Sequence, residues 1–94
     1  MPETNASAVP ADPVGEYIQA IWQEVCARVK RDPERTCSSA DFDLMFQWYR
    51  RRIPLRIVLR GIQDTKGTAP RVLYYRPSVE AAIGAWAHNI GLDA

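Results

Sequence analysis

Five arginines, Arg50, Arg51, Arg52, Arg56 and Arg60, fall within the 15-residue stretch WYRRRIPLRIVLRGI. A guanidinium is always charged and presents five donors in a planar fork that matches phosphate or carboxylate oxygens, so the chemistry this spacing offers is anion binding. Lys66, Arg71 and Arg76 extend the series, and residues 45–79 carry eight basic side chains against one acidic. Residues 1–44 reverse the balance with four basic and eight acidic, leaving the chain at a net +1. Cations grouped without intervening carboxylates repel one another, so something negative must compensate them. Tyr74 and Tyr75 sit between Arg71 and Arg76, the interleaving of rings and cations that can stack single-stranded bases while holding phosphates. Equally, one tyrosine closes the core and the other lies upon it.

Three compensating partners are open. DNA or another polyanion would meet Arg51, Arg52, Arg56, Arg60, Lys66, Arg71 and Arg76, with Tyr74 or Tyr75 stacking. An acidic protein partner, or a second copy in a homodimer, would meet the same cations in an assembly module. In the third case Glu16, Glu24 and the acidic start of the second helix neutralise them within the fold, leaving a solvated face.

Other chemistry is poorly supplied. Cys26, Cys37 and His88 are the only cysteines and the only histidine, too few for a zinc site with four N or S ligands. Asp41 and Asp43 form a carboxylate pair that an early helix position explains by itself. There is no glycine-rich phosphate loop and no nucleophile beside a plausible base. The expectation is a non-enzyme with no cofactor, no metal and no small-molecule substrate. Lacking a secretory signal and any apolar run of ~18 residues, the chain is expected in the cytoplasm, off the membrane, with reduced thiols.

The elements that must position these groups read as an all-α, four-helix single domain, residues 14–92, behind a flexible Pro/Ala-rich arm, residues 1–13. Val14, Tyr17, Ile18, Ile21, Trp22, Val25 and Val29 follow helical three-and-four spacing and predict a helix over 14–31, broken by RDPERTC. Ser38 with Asp41 three residues on predicts an N-cap, followed by an apolar stripe of Phe42, Met45, Phe46, Tyr49 and Ile53, with Leu44 and Trp48 on its flank. Pro54 predicts a sharp corner, itself the first residue of a third helix whose Leu55, Val58, Leu59 and Ile62 face the core. Gly61 inside that helix implies a close backbone approach, and Gly67 a stop. RVLYY is strand-like in composition but lacks a partner strand, so an extended loop is expected at 68–76, a small wing being the alternative. Val79, Ile83, Trp86 and Ile90 mark a last helix from Ser78, ended by Gly91. The three tryptophans are expected in the core.

Two resemblances attach to these residues. The order of a tryptophan-bearing helix, tight corner, short helix, tyrosine segment and last tryptophan helix resembles the C-terminal helical domain of DnaD-type replication-initiation proteins over about residues 39–90. Their YxxxIxxxW motif would correspond to Tyr75, Val79, Ile83 and Trp86, although Trp86 follows Ile83 by three residues instead of four and Pro77 interrupts the segment. That resemblance implies DNA binding as a replication accessory and assembly with helicase machinery. Alternatively, Phe42–Arg52 and Pro54–Lys66 resemble the two helices of a helix-turn-helix, with RVLYY as the wing of a winged-helix or excisionase-like regulator. Arg56, Arg60 and Gln63 would then read a groove, though the turn lacks the usual glycine.

Overall fold

The computed structural model describes residues 13–35 and 37–89, so the expected arm, apart from Pro13, lies outside the described residues. Among these, four α-helices and one 3₁₀ turn are present and there is no strand. Among the described residues no helix is long and apolar enough to cross a membrane.

Helix α1, Pro13–Arg28, opens on a proline, whose missing N–H costs nothing in a first turn. Its buried face is Ile18, Ile21, Val25 and Cys26, with Tyr17 and Trp22 half-buried beside it. It ends before the expected Arg31 because the chain turns left-handed at Lys30, φ 57°. Lys30 N–H bonds Ala27 O at 3.2 Å and Arg31 N–H bonds Cys26 O at 2.8 Å, the paired bonds of a Schellman cap.

Helix α2, Ser39–Arg50, begins at the predicted cap: Ser38 Oγ accepts from Asp41 N at 3.1 Å. Its core face differs from the predicted stripe. Leu44, Met45 and Trp48 are buried together with Asp41, while Phe42 and Phe46 are 46% and 37% exposed. A wide apolar surface can be buried on either flank, and here the Leu44–Trp48 side joins the core while the 3₁₀ turn packs against the helix.

The corner after α2 is a second Schellman cap. Arg52, φ 61°, bonds Tyr49 O at 2.9 Å, and Ile53 N–H reaches Trp48 O at 3.2 Å. Tyr17 of α1 donates to Ile53 O at 2.8 Å, locking the corner from outside. Pro54 is the residue before α3, Leu55–Gln63, and not its first residue; its carbonyl accepts from Ile57 N at 3.0 Å. Ile57, Val58 and Ile62 are buried in α3, whereas Leu55 and Leu59 are only half-buried.

Gly61 makes the expected close approach. A Cβ on it would lie 2.5 Å from Val79 Cα of α4, Arg76–Asn89. The α3/α4 pair is consequently the most intimate packing in the fold. Helix α3 ends at Gln63, short of Gly67.

The extended loop expected at 68–76 is present only over 68–71, and no wing strand occurs among the described residues. Val72–Tyr75 is a 3₁₀ turn that runs directly into α4, two residues earlier than predicted, with Pro77 in the first turn of that helix. Burial of Tyr75 drives this: its hydroxyl accepts from Ala69 N at 2.9 Å and donates to Ala69 O at 3.1 Å. Arg28 of α1 closes the same loop, donating to Thr65 O at 2.8 Å with its guanidinium 5.7 Å from the Tyr75 ring centre. Ile90 and Gly91 lie outside the described residues. Of the tryptophans only Trp48 is fully buried; Trp22 and Trp86 are half-buried.

Candidate nucleic-acid interface

The arginines divide into those the fold uses and those it leaves outward. Arg51 is used by the fold: its two terminal nitrogens donate to both oxygens of Glu80 on α4, at 2.9 and 3.3 Å. Glu80 also accepts from the indole N–H of buried Trp48 at 2.9 Å. The hydrogen bonds from Arg51, opposed by burial and reinforced by Trp48, hold the Glu80 carboxyl below its ordinary value.

Arg71 is also occupied, donating to Asp41 at 3.1 Å and to Ser38 Oγ at 3.2 Å. Asp41 is fully buried and its other oxygen accepts from Leu73 N at 3.2 Å. The early helix position therefore explains Asp41 only in part, because its carboxylate fixes the start of the 3₁₀ turn to α2. Neither partner belongs to α1, so of the third alternative the described residues show no pairing to Glu16 or Glu24; the start of α2 supplies one carboxylate and α4 the other.

Arg52, Arg56, Arg60, Lys66 and Arg76 are exposed, with no ion pair to a carboxylate among the described residues. Arg52 is at the corner, and Arg56 and Arg60 lie on successive turns of α3. The last two form one wall of an open groove of about 540 Å³ between α3 and α4. Its opposite wall is Ala81, Ala85 and Asn89, and Ile57, Ser78, Ala82 and Trp86 also line it. Asp64 is the one carboxylate that reaches it. Small side chains on α4 leave the half-buried indole accessible beside the two guanidinium groups.

A second hollow, about 580 Å³, lies at the corner between Tyr17, Tyr49, Arg50, Arg52 and Leu55. The two rings meet edge to face with centroids 5.3 Å apart. The Tyr17 hydroxyl, pushed up to about 12 by burial against a smaller downward pull from Arg51, donates to Ile53 O and stays neutral.

The predicted set is thus only partly brought together. Arg56 and Arg60 wall the α3/α4 groove while Arg52 lines the corner hollow, Arg51 and Arg71 are tied to carboxylates, and Tyr75 is buried and removed from any stacking role. Tyr74 remains 48% exposed, edge-on to Tyr75 at 5.2 Å. Trp86 was not among the predicted contacts, since helical spacing assigned it to the core. The signal was the run of small residues, Ala81, Ala82, Gly84 and Ala85, which leaves nothing bulky to cover it. Of the YxxxIxxxW positions, Tyr75, Val79 and Ile83 face the core and Trp86 faces the groove.

Comparison of the chain with protein-family models, curated proteins and solved structures finds no match.

Proposed function

We propose that the protein binds single-stranded nucleic acid along α3, as an accessory in DNA transactions without strong sequence preference. Arg52, Arg56 and Arg60 contact successive phosphates, and a base stacks on Trp86 in the groove. The observation that carries this reading is that Arg56 and Arg60, one turn apart and without an ion pair among the described residues, wall a groove containing an accessible indole. Cations left unneutralised by the fold, next to an aromatic face, supply the backbone and base terms of strand binding. Arg51 and Arg71 leave the contact set, since recruiting them would strip Glu80 and the buried Asp41 of their partners.

Anisotropy of a labelled oligonucleotide over a salt series tests the reading. Each phosphate neutralised on a single strand contributes a slope of about −0.7 to log K against log salt, so three contacts give roughly −2. Arg56→Gln and Arg60→Gln should each reduce the slope by about 0.7, and binding should quench Trp86 emission. Affinity indifferent to salt, or unchanged in the double variant, refutes the proposal.

A further inference from the structure

Helix α2 carries a second exposed surface that shares no residue with the α3/α4 groove. Phe42 and Phe46 lie on successive turns, stacked with centroids 6.4 Å apart and planes within 16°. The Arg50 guanidinium stands 5.9 Å from the Phe46 ring centre, and Asp43 is exposed beside them. Three-and-four spacing puts Phe42, Asp43, Phe46 and Arg50 on one face of the helix. Away from the core face of Leu44, Met45 and Trp48, the two rings are more than half covered, Phe42 bordering a hollow with Ile18, Trp22 and Cys37, and their remaining exposed faces form an apolar patch.

We infer that this face associates with a second copy of the chain, the two α2 helices running antiparallel about a twofold axis at Phe46. The charge order selects this occupant. Asp43 lies toward the N-terminal end and Arg50 at the C-terminal end, so an antiparallel copy centred on Phe46 sets each Phe42 across from the other chain's Arg50. Asp43, the next residue, reaches the same guanidinium. A twofold interface must be complementary to itself, and here ring against cation and carboxylate against cation each occur twice. A parallel arrangement would oppose arginine to arginine. Antiparallel pairing also brings the positive end of each helix dipole to the negative end of the other. Because α2 has 12 residues, the contact is about 18 Å long and falls below the ~800 Å² per partner of a standard interface. Association is therefore weak and concentration-dependent, with a dissociation constant on the order of 100 μM.

Sedimentation equilibrium tests this without nucleic acid, from ~10 μM to ~1 mM protein. The average mass should climb from the monomer's 10.6 kDa toward twice that value. Phe46→Lys should hold it at the monomer value, and Asp43→Arg and Arg50→Asp should each weaken association about tenfold or more. The double reversal, Asp43→Arg with Arg50→Asp, should recover part of the loss, because the carboxylate–guanidinium pair meets again across the axis while the ring–cation contact at Phe42 stays lost. All these positions are exposed, and circular dichroism checks that the variants stay helical. A monomer at every concentration overturns the inference, as does a double reversal no better than its single components. Failure here leaves strand binding at α3 untouched, since the two surfaces are read by different assays.

Discussion

Replacing Gly61 by alanine puts a methyl group 2.5 Å from Val79 Cα and 3.0 Å from both Val79 N and Cγ2. Carbon atoms rest at about 3.5–4.0 Å, so α3 and α4 must separate by roughly 1 Å to admit it. The nearest obstacle is backbone, which cannot rotate away as a side-chain tip would. Overpacking of this kind costs about 1–3 kcal/mol, and it also loosens Ile57, Val58 and Ile62 from Val79 and Ile83. Against this, alanine is favoured over glycine inside a helix by about 1 kcal/mol. The net expectation is a loss of about 0–2 kcal/mol, or a melting temperature lower by up to roughly 15 °C for a domain of this size. Gly84 on α4 is the control, because a Cβ there meets nothing within 4 Å. Gly84→Ala should therefore gain about 0.5–1 kcal/mol and melt a few degrees higher. Thermal melts of both variants by circular dichroism decide the matter. If the two alanines shift the melt in the same direction, the close α3/α4 approach is not a constraint and the groove above it is not rigidly framed.

Two further outcomes follow from the corner. Tyr17→Phe removes the bond to Ile53 O and should cost about 1 kcal/mol at neutral pH. Since folding raises this phenol from 10.0 to about 12, its contribution is whole below pH 10 and fades as pH rises from 10 to 12; denaturant unfolding near pH 8 and near pH 11.5 should show the gap between wild type and variant narrowing, and a constant gap would contradict it. Arg52→Gly relieves a left-handed φ of 61° and, after the added freedom of the unfolded chain, should stabilise by about 0.5 kcal/mol. The same variant should lower the salt slope of oligonucleotide binding by about 0.7, so a higher melt with weaker binding is the expected signature and a lower melt counts against the cap assignment.

Features fixed by neighbours in sequence were legible from it. Ser38 as a cap, the turn at Pro54 and the close approach at Gly61 all follow from local stereochemistry, and the structure has each of them. What could not be read was which flank of a broad apolar surface the rest of the molecule would cover. Phe42 and Phe46 fit a helical stripe as well as Leu44 and Trp48 do, and only the tertiary packing around α2 separates them. Ion pairing was hidden for the same reason: Arg51 meets Glu80 and Arg71 meets Asp41 across 29 and 30 residues of chain. RVLYY misled through composition, because strand-forming residues without a second strand found a different use for their tyrosine, a hydroxyl bonded to Ala69.

Arg28 reaches Thr65 and Gly67 across 37 and 39 residues, and its Nε is buried without an acceptor. Tyr17 likewise waits for Ile53, 36 residues on. On the ribosome, helix α1 therefore emerges with its anchoring donors unmatched until Ile53, Thr65 and Gly67 have been made. Helices α3 and α4 are close in sequence and dock over a short loop, a cheap closure. Folding that begins with this pair and ends when α1 settles onto it would leave the amino-terminal helix the first to detach under load.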